Sequence, residues 1–363
     1  MPSILQTRRA RWAVPVLAVT VVGAAIGVGA IAGASSPDLP EKSATQLLIA
    51  VANAEQPFSG TVVQTSRLGL PELPASATGE AGPVALLTGS HTARIWYSSP
   101  DLARVAVMDD LDETNVIRDG EDVWIWSSRT NTAQHAVVPA HADAGRVPSD
   151  APVSPAEAAA ALFAAIDAST EVVVDGTAEV AGRAAYELVV SPRDDRSLIE
   201  EVRLAVDGAT SMPLRVQVNS GGDEPAFEVG FTSVTFGEPA DDVYRFNPPP
   251  GATVDELDIS GMKDHQRAGP LADLDAQGTE QRRTVVGEGW TSVLVVPDVT
   301  LPEADDEGVL DAILGATTEV SGAYGSGRLL ETELLTVLLL DDGRMLAGAV
   351  EPEVLFDAAA DTA

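Results

Sequence analysis

The sequence predicts a mainly β protein of the α+β class. A strongly curved antiparallel sheet forms an incomplete barrel covered by helices, and a smaller C-terminal α+β unit follows. Three observations predict this. Short segments with an apolar period of two recur between residues 58 and 236. Few helical stretches interrupt them, too few for an α/β enzyme. Asp119-Gly120 and Asp207-Gly208 supply hairpin-type turns between neighbouring segments. The 363 residues suit about two domains, read as 37–255 and 284–363 joined by a polar linker over 256–283.

The elements follow in order. Residues 12–34 carry no charge and come after Arg8, Arg9 and Arg11, with Ala32-Gly33-Ala34 before Ser35. They read as a secretory signal or an uncleaved N-terminal membrane anchor, and either one puts the rest of the chain outside the cytoplasm. Ala44, Leu47, Leu48 and Val51 share one helical face, with Ser43 as N-cap. Strands are expected at 61–68, 91–97, 102–108, 114–118, 122–127 and 132–138. Residues 70–89 form a Pro- and Gly-rich loop with a helical turn near 84–87, and 139–153 form a second loop. Ser154-Pro155-Ala156-Glu157 spells a capping box with Pro in the first turn, opening an Ala-rich helix to about Asp167. Further strands are expected at 171–174, 177–180, 184–190, 198–206, 214–218 and 227–236. Pro248-Pro249-Pro250-Gly251 ends the pattern. In the C-terminal unit, strands are expected at 290–296, 329–340 and 345–350, with a turn at Asp341-Asp342-Gly343. Helices are expected at 308–314 and 351–359.

Composition excludes several functions. The net charge is −33, which opposes nucleic-acid binding and electrostatic adhesion to anionic lipid. There is no cysteine, hence no disulfide, thiol nucleophile or Cys-based metal site. The sequence contains no G-x-S-x-G, H-E-x-x-H or P-loop, so neither catalysis nor a cofactor is expected. Asp273, Asp275, Gln277 and Gly278 copy the first half of a calcium loop. Its twelfth position is Thr284, not Glu, and a solvated turn is the reading, as it is for Asp109 to Glu113.

Side-chain parity supplies the candidate site. In the first run of strands one parity collects Ile95, Tyr97, Val105, Val107, Val123, Ile125 and Val137, with His135 as a polar exception. In the second run Tyr186, Leu188, Leu204, Val206, Leu214, Val216, Phe227, Val229 and Phe231 match it. This set is assigned to the concave face, beneath Leu162, Phe163 and Ile166 of the Ala-rich helix. It forms either an apolar cavity or an ordinary filled core. The helix is either a lid or a fixed core element. Trp96, Trp124 and Trp126 fall on the opposite parity. They read as an aromatic stripe for a partner protein or as cross-strand pairs that stabilise the sheet.

Several motifs occur in a familiar order: Phe58-Ser59-Gly60-Thr61-Val62-Val63-Gln64, Ile95-Trp96-Tyr97 before Pro100, and Val116-Ile117-Arg118-Asp119-Gly120 followed by Val123-Trp124-Ile125-Trp126. Asp207 then precedes Met212-Pro213-Leu214-Arg215, and Pro248-Pro249-Pro250-Gly251-Ala252 closes the series. In this order residues 37–255 resemble the LolA/LolB/LppX superfamily of lipid- and lipoprotein-handling proteins. Carrier members have an Arg in the stretch that corresponds to Gly89–Ala93, which has none here. Gly327-Arg328-Leu329 to Ala349-Val350 resembles the C-terminal layout of RseB/MucB-type envelope-stress regulators, which share the half-barrel. The resemblance implies a non-catalytic extracytoplasmic protein that holds lipid or lipoprotein acyl chains, or a sensor that binds a membrane regulatory protein such as an anti-sigma factor. A third reading is a secreted structural domain with a filled core. Arg outnumbers Lys 20 to 2, as in GC-rich sources such as actinobacteria.

Overall fold

The computed structural model describes residues 38–70, 88–108, 112–138, 154–257, 283–299 and 314–362. The N-terminal segment 1–34, the helical turn near 84–87, the loop 139–153, the bulk of the linker and most of the expected helix 308–314 lie outside the described residues. No helix among the described residues is long and apolar enough to cross a membrane.

Twelve strands form one open sheet. They are β1 (Phe58–Arg67), β2 (Thr88–Ser99), β3 (Leu102–Met108), β4 (Glu113–Asp119), β5 (Asp122–Ser127), β6 (Thr132–Val137), β7 (Thr170–Val180), β8 (Arg183–Pro192), β9 (Glu201–Asp207), β10 (Pro213–Asn219), β11 (Phe227–Phe236) and β12 (Thr253–Glu256). Their order is β12-β6-β5-β4-β3-β2-β1-β11-β10-β9-β8-β7. The ends β12 and β7 do not pair, so the sheet stays an unclosed half-barrel. Every pairing is antiparallel except β12 with β6, which is parallel. Where Phe231 crosses β1, Gly60 makes room: a Cβ there would strike the Phe231 ring and the Ser233 carbonyl.

Helix α2 (Pro155–Ala165) begins with the expected capping box at Ser154/Glu157, and helix α1 (Ala44–Ala52) begins at the expected N-cap Ser43, which Gln46 completes into a second box. Helix α2 ends two residues before Asp167, with Ile166 as its extended C-cap. Helix α1 lies against β7, and helix α2 lies against β10 and β11. Leu47, Val51, Ala159 and Leu162 join Leu188, Leu204, Leu214 and Val229 in one continuous core.

A second sheet near the C-terminus has the order β13-β14-β18-β17-β16-β15. Its strands are β13 (Thr284–Val286), β14 (Val293–Val296), β15 (Thr318–Gly322), β16 (Gly325–Glu331), β17 (Thr336–Leu340) and β18 (Met345–Gly348). Helix α3 (Pro352–Asp361) packs on it through Leu355, Ala358 and Ala359, which join a core with Leu338 and Leu346.

Several expected elements are corrected. Segments 171–174 and 177–180 are one strand, β7, with a register shift between Val174 and Thr177 at Gly176, whose φ is +78°. Glycine takes this left-handed conformation without a Cβ penalty, so the extra residue can leave the ladder there. The long strand expected at 329–340 is two. Thr332 turns the chain by accepting the Leu335 amide on its hydroxyl and donating to the Leu335 carbonyl, a turn built without Gly or Pro. Residues 290–291 belong to a single 3₁₀ turn before β14. Residues 198–200 leave the large sheet. Ser197 bridges to Val350, and the Leu198 amide donates to the Ala349 carbonyl at 2.9 Å. The Ile199 amide donates to the Ser197 hydroxyl, and the Glu200 amide returns to the large sheet at the Asn219 carbonyl of β10.

Candidate functional site

Strand register gives the large sheet two continuous faces. The inner face runs from Val172 and Val174 of β7 through Leu188, Leu204, Val216, Val229 and Val62 to Ala93, Val107 and Thr114. The next row includes Tyr97, Ile95, Val105, Val116 and Ile125.

Nine of the expected concave residues, Tyr186, Leu188, Leu204, Val206, Leu214, Val216, Phe227, Val229 and Phe231, share this inner face and are buried, none above 4% exposed. They lie in the core beneath α1 and α2. Leu162 is buried with them, and Phe163 and Ile166 are half-buried against the same cluster. The Tyr186 hydroxyl is satisfied within the chain, donating to the Pro40 carbonyl at 2.6 Å. Beyond β1 the same face changes character. Ile95 is buried, but Tyr97, Val105, Val107, Val123 and Ile125 are only half-buried, as is Val116 between them. Arg118 closes the far end of this wall, donating to Asp101 at 2.6 Å.

Val137 is a correction. It pairs with Asp122 on the outer face and is 55% exposed, and His135 shares that face. The β5–β6 connection runs through four residues, 128–131, so odd positions of β5 oppose even positions of β6. Carrying one parity across that turn puts β6 on the wrong side.

The outer face of β2–β6 has its own cover. Trp96, Arg104, Ile117, Trp124 and His135 form one cross-strand row. The Arg104 guanidinium sits 5.4 Å from the Trp96 ring centroid and donates to Asn115 and to the Val243 carbonyl. Trp124 stacks on His135 at 4.2 Å, and Phe246 lies over Trp124 and Trp126 at 5.3 and 6.3 Å. The segment 241–246, a 3₁₀ turn over Asp241–Tyr244 and the residues after it, therefore packs on the aromatic stripe, and all three Trp are half-buried. His135 bonds Asp122 at 2.8 Å and Glu256 of β12 at 3.0 Å. Burial alone would lower its pKa, but the two carboxylates outweigh burial and raise it above 6.5.

By contrast, the outer face of β8–β11 is a polar lattice. Arg203 contacts Glu201, Asp175 and Glu187; Arg215 contacts Glu187; and Gln217 donates to Glu228. At the β9–β10 turn, Asp207 is buried. It accepts from Arg183, from the Thr210 amide and hydroxyl at 2.7 Å, and from the Ala209 amide. Burial would raise its pKa, but these bonds hold it below the ordinary 3.8. An open depression beside this turn, lined by Leu39, Gly182, Arg183 and Asp207, lies at the far rim from the apolar wall and has none of its chemistry.

The small sheet touches the opposite rim. The Trp290 indole donates to Thr170 at 2.8 Å, where α2 leads into β7. Trp290, Leu334 and Ala349 enter the core of the large sheet. The Glu333 amide donates to the Leu68 carbonyl and the Glu351 amide to the Arg196 carbonyl. Nothing in the sequence signalled this docking or the cover over the Trp stripe, because both join segments distant along the chain.

Residues 88–249 match the family model of the MucB/RseB N-terminal domain. No curated protein matches the chain in sequence. Among solved structures, the MucA/MucB complex of Pseudomonas aeruginosa is similar at 17% identity, covering 87% of this chain and 96% of that one, with a TM-score of 0.41. A LolA superfamily protein from Nitrosomonas europaea is similar at 9% identity, covering 57% of this chain and 99% of that one, with a TM-score of 0.23. The fold is LolA/RseB-like.

Proposed function

We propose, from a half-barrel of the LolA/RseB kind, that this chain is a non-catalytic extracytoplasmic protein that holds lipid or lipoprotein acyl chains against the inner wall of β3–β5. The carrying observation is the change along one face. The inner side chains are sealed under α1 and α2 in β7–β11, yet Val105, Val107, Val116, Val123 and Ile125 stay half-buried. Covering such a wall with hydrocarbon is favourable by about 25 cal/mol per Å² of apolar surface removed from water. The bound region is smaller than the whole concave face, because the nine residues under the helices are already covered by the chain's own side chains. Export rests on the charge-free stretch 12–34 behind Arg8, Arg9 and Arg11.

Native mass spectrometry of the protein purified from its own host tests this. The expected result is co-purifying acyl species in wild type and their loss in Val105→Arg and Ile125→Arg. A ligand-free wild type, or acyl species retained by both variants, contradicts it.

A regulatory reading is favoured by a separate observation. The family model that matches residues 88–249 is that of MucB/RseB, and the small sheet docks on the rim through Trp290, Leu334 and Ala349. In this reading the same wall senses an acyl chain, and a membrane regulatory protein is the partner. A similar solved structure is described as MucB in complex with MucA. A regulator binds one membrane protein with an affinity that changes when acyl ligand is added, whereas a carrier has no such fixed partner.

A further inference from the structure

Gln64 sits on the inner face at the seam between the sealed and half-open regions, opposite Val229 on one side and His91 on the other. It is 1% exposed, and neither its Nε2 nor its Oε1 has a hydrogen-bond partner. A primary amide offers two donor hydrogens and an acceptor oxygen. Burying both ends unpaired is costly, and an apolar side chain of similar size avoids that cost. Two other polar side chains on this face are satisfied within the chain: Tyr186 by Pro40 and Arg118 by Asp101. Trp126 Nε1 also lacks a partner, but it lies on the outer face near Phe246 and has one hydrogen to place rather than a donor and an acceptor.

The surroundings define what would complete Gln64. Val62, Val229 and Phe227 are its buried apolar neighbours on the face. Burial lowers the His91 pKa to about 4, so at neutral pH it supplies no positive charge, and Arg118 at the far end of the wall is already paired with Asp101. Among the described residues, an ionised carboxylate or phosphate finds no counter-charge here. The hydrogen-bond complement of the amide is an uncharged group carrying both a carbonyl and a hydroxyl. The half-buried wall begins one strand beyond His91, so a chain lying along β3–β5 brings its linkage to the seam.

We propose that Gln64 is a specificity-determining contact for the uncharged junction of a diacylglycerol-type ligand. Its Nε2 donates to an ester carbonyl and its Oε1 accepts from the neighbouring hydroxyl. This rests on the acyl-binding reading above and narrows it to neutral acylglycerols over ionised fatty acids.

The test compares the full chain with Gln64→Met, using 1,2-dioctanoylglycerol, its dialkyl ether analogue and octanoate in displacement of a fluorescent fatty-chain probe. Wild type is expected to prefer the ester over the ether by about tenfold, and to bind octanoate more weakly than either. Gln64→Met is expected to bind ester and ether alike and, ligand-free, to melt about 2–4 °C higher because the unpaired amide is gone. Equal ester and ether affinity in wild type, an ester preference that survives in Gln64→Met, or a lower melting temperature in the variant each overturns this proposal while acyl binding stands. Failure of all three ligands to bind wild type overturns the acyl-binding reading with it.

Discussion

The two halves of the large sheet use their faces in opposite ways. In β7–β11 the inner face is sealed by helices, and the outer face is a solvated lattice around Arg203, Arg215 and Glu187. In β2–β6 the outer face carries the Trp row under Phe246, and the inner apolar wall of β3–β5 is left half-buried. A single sheet thus has a load-carrying core on one side of β1 and an apolar wall on the other. Stability and binding are assigned to different residues, even though all of them follow one alternation.

Paired truncations would break this contrast most directly. Leu204→Ala removes a fully buried side chain and is expected to cost about 2–5 kcal/mol. Val105→Ala removes one that is already partly in water and should cost about 1 kcal/mol or less. Chemical denaturation of the two variants measures the difference, and equal costs would mean that the wall is as well packed as the core. Acyl binding by the folded protein is expected to respond in the reverse order.

Acid sharpens the sealed side. The folded-state pKa of Asp207 lies below 3.8, so its stabilising contribution is present above that value and is lost as pH falls through the lowered one. Asp207→Asn should flatten the acid limb of the stability profile and cost about 2 kcal/mol at neutral pH, since the buried turn loses its charge-assisted bonds to Arg183 and Thr210. A melting series between pH 2 and 7 reads both effects.

A smaller effect is expected at the other edge. The His135 pKa is raised above 6.5 by Asp122 and Glu256. Its contribution is therefore complete below 6.5 and is lost as pH rises through the raised value. Amide exchange in β12 and β6 should quicken between pH 6 and 8 beyond the intrinsic rate change, and His135→Gln should remove the extra increment. The melting temperature of the whole chain is expected to move little.

Much of this layout was legible in the sequence, for physical reasons that differ by element. The capping boxes at Ser43 and Ser154 are local, so both helices started where expected. Phe227, Val229 and Phe231 alternate without interruption, which fixes their face from the sequence alone. Val137 failed because a four-residue turn reverses parity. Strand β12 was missed because Thr253 to Glu256 is short, polar and held by parallel pairing to β6. The split between β16 and β17 was hidden by a turn whose hydrogen bonds come from Thr332. The cover of Phe246 over the Trp stripe and the stranded amide of Gln64 depend on residues far apart along the chain, and no periodicity records them.

The central claim is that a ligand lies on the inner wall of β3–β5 and not in the space beneath α1 and α2. Photo-crosslinking with a diazirine-bearing fatty chain, followed by peptide mapping, tests it most directly. The expected adducts fall on the peptides containing Val105, Val107, Val123 and Ile125. Adducts confined to the peptides of Leu188, Leu204 and Leu214, or none on any inner strand, would contradict the account.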